Sequence, residues 1–379
     1  MKNRLSALKS GLAEHLFQLM GPQFDQKIVV FESDDWGMIR MASKTAYDSF
    51  LQLGYEVDRC PYNKNDALEK PSDLETLFDA LDSVRDANGN PAKFTINNIV
   101  GNPDFDAILA SDFQQYYWEP FTRTLERQSS EKSVMALYKE GIGNGLIKPQ
   151  FHGREHIGYE RWLQALRAGS KKLRLAFQYE MYTVHEKGTP SCNKDFLNAF
   201  VPESPQNEPI NIRIKEGLKT FEDIWGFRST TIIAPCYTWN SQIEPCLQES
   251  GIHLIQGGRV QLVPTENNGQ IFIKKYHYCG QKNKIGQHYL IRNVHFEPVE
   301  SPQTDHVDSA MRQLNIAFKY KKPAIIGSHR VNYIGSIHPE NQVSNIRQLK
   351  TLLKRIVQTW PDVMFLTSDE LAKLKEFQN

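Results

Sequence analysis

Val29-Val30-Phe31-Glu32-Ser33-Asp34-Asp35-Trp36-Gly37 is a short apolar run that stops on two adjacent carboxylates. Such a run predicts a buried strand that delivers Asp34 and Asp35 to one edge of a sheet. Neighbouring residues of an extended strand point to opposite faces. Both aspartates can therefore serve one site only if the strand ends there and the backbone turns. Gly37 permits that turn. Taken alone, the pair fits equally well a strand-to-loop junction in which Asp34 caps the next segment and Asp35 is solvated.

The surrounding chain has 379 residues, 40% of them hydrophobic, enough for one large or two ordinary domains with a substantial core. A net charge of +1 gives no general electrostatic footprint for nucleic acid or an anionic membrane. The five cysteines are scattered with no Cys-x-x-Cys pair, which fits a reduced cytosol and argues against cysteine-based zinc or redox chemistry. Leu5, Leu8, Leu12, Leu16, Phe17 and Met20, with charges between them, predict an amphipathic helix within residues 1–26. That segment lacks the apolar core and cleavage site of a secretory signal, and no later segment is long and apolar enough to span a bilayer. A cytoplasmic protein is expected, its first helix able to touch a membrane surface or a partner subunit.

Helix is expected around 45–53, and Ser72-Asp73-Leu74-Glu75 reads as a capping box opening another helix, with Leu74, Leu77, Phe78 and Leu81 on one buried face. Strands are expected at 92–100 and at 146–151, the latter running straight into His152. The aromatic segment 113–121 is expected to pack under a long loop, a sugar-stacking surface being the alternative. Helices follow at 131–140 and 159–167, a strand-like stretch at 171–184, and a polar insertion or lid at 185–209. A helix at 212–225 precedes a β-rich run at 230–234 that enters Pro235-Cys236-Tyr237, and 252–255 reads as strand. Residues 259–298 hold β-rich runs broken by Asn267-Asn268-Gly269 and Asn283, the pattern of an antiparallel excursion. Helix, strand, helix, strand and helix then alternate to the end. Seven or eight alternating units imply one mostly parallel α/β unit over 27–379, closed as a barrel or partial barrel, with its site where strands end.

Four strand ends carry groups that chemistry can use: Asp34-Asp35, His152-Gly153-Arg154-Glu155-His156, Ala234-Pro235-Cys236-Tyr237 and Ser328-His329-Arg330. One aspartate with two histidines makes a three-ligand set that leaves coordination positions open. Spaced four apart, His152 and His156 can converge on one ion from a strand-to-helix corner. The plainer alternative is a helix N-terminal hydrogen bond plus a surface histidine.

These motifs resemble those of the polysaccharide deacetylase family, the NodB-like, family 4 carbohydrate esterases, which are built on an irregular (β/α)7 barrel. The Asp-Asp strand end, the His-x-x-x-His corner and the late strand ending in His occur here in the family's order. The run Val363-Met364-Phe365-Leu366-Thr367-Ser368-Asp369-Glu370-Leu371 resembles the family's final strand and helix. The resemblance implies a metal-dependent deacetylase of an acetylated sugar, bacterial and within surface polysaccharide metabolism. It implies Asp34 as general base, Asp35, His152 and His156 as ligands of a divalent ion such as Zn2+, and His329 as general acid. Pro235 and Tyr237 match the third motif, which would place an oxyanion donor at the Tyr237 backbone. Arg330 and Asn332 are candidates to contact substrate. The family's third motif usually opens with an arginine near the position of Ala234, and the nearest one upstream here is Arg228. Asp305 and Asp308 are the candidates to brace His329.

Two other readings belong beside this one. His152-x-x-Glu155-His156 matches the inverted zinc-peptidase motif, with Glu155 as base, but that motif sits on a regular helix and Pro149 and Gly153 argue for a corner. A non-catalytic saccharide-binding relative would keep the architecture and lose the reaction.

Overall fold

The computed structural model describes residue 15 and residues 17–128, 133–184, 196–202, 208–265, 272–301 and 303–378. Most of the expected N-terminal helix, most of the polar insertion and the Asn267-Asn268-Gly269 break lie outside the described residues. Thirteen strands are described: β1 (Lys27–Trp36), β2 (Phe94–Asn98), β3 (Gly101–Pro103), β4 (Trp118–Pro120), β5 (Ile147–Phe151), β6 (Thr231–Ile233), β7 (Leu254–Gly257), β8 (Val260–Pro264), β9 (Phe272–Tyr276), β10 (His288–Ile291), β11 (Val294–His295), β12 (Ala324–His329) and β13 (Val363–Phe365).

Nine of them form one parallel sheet in the order β10-β7-β6-β5-β2-β1-β12-β11, with β13 beside the start of β1. Parallel strands covered by helices read as continuous apolar runs, and β1 has no exposed residue. Its side chains alternate between two cores. Val29 and Phe31 join one cluster with Phe94, Ile326 and Leu349, and Ile28 and Val30 join the other with Phe151, Ile232 and Ile325. This placement buries β1 at the centre of the fold and sends its polar end to the sheet edge. No helix among the described residues is long and apolar enough to cross a membrane.

The expected barrel needs correction, because the backbone ladder does not close. Its end strands, β10 and β11, pair with β7 and β12 respectively, and are consecutive in the chain. Arg292 and Asn293 carry the backbone from one edge to the other. The Arg292 N–H donates to the Gly257 carbonyl at 2.9 Å and the Asn293 N–H to the Ile325 carbonyl at 3.1 Å. At this step a side-chain amide supplements the ladder: Asn293 Oδ1 accepts the Ile325 N–H at 2.8 Å and Nδ2 donates to the Pro323 carbonyl at 2.9 Å. The excursion at 259–298 is corrected with it. Among the strands described there, β8 and β9 form an antiparallel pair, while β10 and β11 belong to the parallel sheet.

Two further expectations change. The strand-like 171–184 contains the helix Lys171–Gln178, capped by the Ser170 hydroxyl, because Leu173, Ala176 and Phe177 fall at helical spacing on its buried face. The helix expected from 72–75 begins at Pro71, and the Asp73 carboxylate accepts the Lys70 N–H at 2.9 Å. The aromatic segment packs as expected. Phe113 meets Phe177 edge-on at 5.1 Å, and Tyr116 stacks on Tyr159 at 4.2 Å.

Asn293→Ala would strand the buried Ile325 N–H, a loss of about 1–3 kcal/mol. Urea unfolding of the variant should show that loss with an unchanged m-value. Stability equal to wild type would mean the Asn293 side chain is not needed to bridge the two edges.

Candidate active site

Adjacent aspartates reach one cavity through a backbone irregularity. In the β1–β2 ladder Ser33 pairs with Ile96 and Trp36 with Asn98, so β1 carries one extra residue there. Such a bulge re-aims side chains. Asp35 adopts a left-handed conformation at φ 72°, and Gly37 follows at φ 82°. The turn expected of Gly37 is thus begun by Asp35 itself. Gly37 is needed for another reason as well, since a Cβ there would lie 2.5 Å from the Ile99 carbonyl oxygen.

Asp35, His152 and His156 are all buried, and each offers a ligand atom within 4.8 Å of the others. His152 Nε2 lies 3.4 Å and His156 Nε2 3.7 Å from Asp35 Oδ1. The His152 Nδ1–H donates to the Ile233 carbonyl at the end of β6, at 2.8 Å. That bond orients the ring so that Nε2 faces Asp35. Neither His152 Nε2 nor His156 Nδ1 has a hydrogen-bond partner among the described residues, an uncommon state for buried polar atoms. Burial, against the pull of Asp35, lowers the His156 pKa to about 4 and keeps the ring neutral. One carboxylate and two imidazoles with unsatisfied nitrogens fit a divalent cation such as zinc.

Asp34 is held from the opposite side. Arg292 donates to both of its oxygens, from Nη1 at 2.8 Å and Nη2 at 2.6 Å, and Asn97 Nδ2 adds a bond of 2.8 Å. The same guanidinium donates through Nε to Glu32 at 2.8 Å and through Nη1 to the Tyr237 hydroxyl at 3.1 Å. Burial opposes ionisation of Asp34, but the Arg292 charge outweighs it and the pKa falls to about 2. The arginine sought near Ala234 therefore enters from the step between β10 and β11. Sequence reasoning missed it, and the available signal was the Glu32-x-Asp34 alternation on one face of a buried strand, which requires a cation.

His329 ends β12 in register with Asp34, its Nε2 3.7 Å from Asp34 Oδ2. Its Nδ1–H donates to Glu297 at 2.6 Å, and Glu297 is itself 1% exposed and accepts from Asn332. Burial disfavours the imidazolium, yet Glu297, Asp34 and Asp35 together raise the pKa to about 10. Glu297 thus takes the bracing position expected of Asp305 or Asp308. Asp305 instead caps the helix His306–Lys319, and Asp308 pairs with Arg355 at the surface.

Other expected residues stand elsewhere. Arg330 has no exposed surface and pairs with Asp66 and Glu69, so it cannot reach substrate. Asn332 is buried and joins Glu297 to the Val299 N–H. Pro235 is buried and does not line the cavity. The Tyr237 N–H, the expected oxyanion donor, is already given to the Ala234 carbonyl at 2.9 Å, while Tyr237 lines the cavity with its hydroxyl bonded to Arg292. Glu155 pairs with Arg154 at 2.5 Å and is absent from the cavity wall, which removes the base that the peptidase motif requires.

The cavity is about 550 Å³, with Asp34, Asp35, His152, His156 and His329 on its wall together with Tyr62 and Tyr237. Tyr62 meets the His329 ring edge-on at 5.5 Å. Its position after the turn residues Cys60-Pro61 gave no sequence signal.

No protein-family model and no curated protein matches the sequence. Among solved structures the chain is similar to 4-alpha-glucanotransferase from Thermococcus litoralis, with 10% identity over 94% of this chain, a TM-score of 0.45, and 41% of that chain's length spanned. It is similar to a family 4 carbohydrate esterase from Streptomyces lividans, with 9% identity over 90% of this chain and 92% of that one and a TM-score of 0.35. It is also similar to the family 4 carbohydrate esterase domain of a multidomain xylanase from the hindgut metagenome of Trinervitermes trinervoides, with 10% identity, 92% and 91% covered and a TM-score of 0.39. None of these similarities assigns a role to a residue.

Glu297→Gln removes the anion that favours the His329 imidazolium, so its pKa should fall from about 10 towards the ordinary 6.5, by about one unit or more. An NMR titration of the His329 ring in metal-free protein measures this. An unmoved titration would show that Glu297 does not hold the proton.

Proposed function

We propose that the chain is a metal-dependent hydrolase that removes an acetyl group, as an N-acetyl, from a sugar or saccharide. The observation that carries this reading is the convergence of three element types on one cavity wall: a three-ligand set at Asp35, His152 and His156, a buried carboxylate at Asp34, and a protonated histidine at His329. The choice of an acetylated sugar rests on the resemblance of the motifs to those of polysaccharide deacetylases. The two cavity tyrosines are in keeping with it, since aromatic faces suit a pyranose ring.

A divalent ion held by Asp35, His152 and His156 would supply a Lewis acid that acidifies water and polarises the acetyl carbonyl. Asp34, oriented by Arg292 and Asn97, stays ionised at any working pH and accepts the proton of the attacking water. His329 holds a proton on Nε2, the ring nitrogen not bonded to Glu297, and gives it to the departing amine. Water and an acetamide thereby become acetate and a free amine. Glu297 stabilises the imidazolium between turnovers, and Arg292 prevents Asp34 from reorienting when charge changes beside it.

Lack of an arginine near Ala234 to orient Asp34 would favour a saccharide binder without catalysis. A guanidinium does engage Asp34, supplied by Arg292, so that argument lapses.

Elemental analysis after mild chelation and reconstitution should find about one zinc per chain in wild type and little in Asp35→Ala or His156→Ala. Asp34→Asn and His329→Ala should keep the metal yet lose roughly 10²-fold or more of acetate release from N-acetylated saccharides. A wild type that takes up no metal would sink the hydrolase mechanism. Full activity in Asp34→Asn would remove that residue as the base.

A further inference from the structure

We propose that Glu69, opposed by Asn102, is a positioning residue for the metal-binding end of β1: it fixes the Gly37 turn that holds Asp35 in its left-handed conformation and ties that turn to the strand carrying His329. The inference rests on the metal-centre reading above and adds residues that no cavity-lining or motif argument reaches.

A non-glycine residue at positive φ persists only where its surroundings determine it. Around Asp35 those surroundings are two backbone bonds, from the Met38 N–H to the Asp35 carbonyl at 3.2 Å and from the Ile99 N–H to the Trp36 carbonyl at 2.8 Å, together with side chains that hold the turn after the bulge. Glu69, 2% exposed, lies in the short link between the helices Pro61–Asn65 and Pro71–Leu81. Its Oε1 accepts the Gly37 N–H at 3.0 Å and the Tyr138 hydroxyl at 2.5 Å. Its Oε2 accepts Arg330 Nη1 at 2.7 Å. On the other side of the turn, Asn102 Nδ2 donates to the Gly37 carbonyl at 2.9 Å and Oδ1 accepts the Ile39 N–H at 3.0 Å. Peptide groups before and after Gly37 are therefore bound to fixed side chains from two other segments.

Arg330 makes the connection to the second strand end. It directly follows His329, and its remaining donors engage Asp66 at 3.0 and 3.1 Å. One carboxylate, Glu69, thus touches the residue two after Asp35 and the residue one after His329. Burying an arginine with two carboxylates is a costly way to hold a fold together when apolar packing would serve. What it adds is a fixed distance between two strand ends, and positioning partners of ligands commonly set metal affinity.

The test is Co2+ binding to chelated full-length protein, followed by visible absorption, in wild type, Glu69→Ala, Asp66→Asn and Asn102→Ala, each confirmed folded by circular dichroism. Glu69→Ala should weaken Co2+ binding roughly 10- to 100-fold. Asp66→Asn leaves Gly37 untouched and should stay within about threefold of wild type, even where its melting temperature falls. A wild-type Kd in folded Glu69→Ala overturns the proposal, and so does equal weakening in Asp66→Asn, which would indicate general loss of stability. If Glu69→Ala does not fold, Asn102→Ala is read in its place, and wild-type affinity there overturns the proposal. Failure of wild type to bind Co2+ would instead bring down the metal-centre reading, and this inference with it.

Discussion

A guanidinium buried between two carboxylates governs this structure. Arg292 spans Glu32 and Asp34, neighbours on one face of the central strand, and all three side chains are almost wholly removed from water. Two acids at that depth could not both ionise without a cation, and an arginine could not be buried there without them. The three residues are therefore mutually dependent. The Glu32 carboxyl is still pushed up by burial and is bonded on its other oxygen by the Ser368 hydroxyl at 2.8 Å. The start of the helix Ser368–Leu371, β1 and the β10–β11 step are thus tied at one point. The site and the sheet share this fastening, since Arg292 sits where the chain passes from one sheet edge to the other.

From this pairing the electrostatics of the cavity divide in two. Arg292 drives Asp34 towards its ionised form, while Glu297 with the aspartates drives His329 towards its own, and the two rings of interaction meet across 3.7 Å. Environments that push neighbouring titratable groups apart distinguish proton acceptor from proton donor. Neither shift could come from composition, because each depends on a partner roughly 30 to 260 residues away in sequence.

Much of the architecture was legible because it depends on local periodicity. The apolar run of β1, the strand entering His152 and the helices with clean three-to-four spacing all form close to where expected. The strand-like appearance of 171–184 misled because a short helix with two lysines at its start offers few turns over which a period can register. At the site, the residues that end strands were visible, and those that support them were not. Arg292 and Glu297 lie in 259–298, which reads as an excursion because its β-rich runs are short and broken by turn residues. Two of the four strands described in it, β10 and β11, belong to the main sheet. Arg330 shows the converse error: its neighbour His329 ends the strand and faces the cavity, whereas Arg330 opens a 3-10 turn, Arg330–Tyr333, whose side chains are buried. The alternation rule, which puts neighbouring side chains of a strand on opposite faces, stops at His329 and does not place Arg330.

The same rule should have separated Asp34 from Asp35, and the bulge explains why it does not. By inserting one residue and turning Asp35 through positive φ, the strand brings consecutive carboxylates to one cavity with different partners: Asp34 to a guanidinium, Asp35 to two imidazoles. A regular strand would give one aspartate to each face, and a longer loop would bring both at the expense of rigidity. The irregular strand end keeps ladder bonds on both sides of the extra residue, so the two acids are near each other and still held. Their different partners come from this single inserted residue, because the atoms of the two side chains are the same.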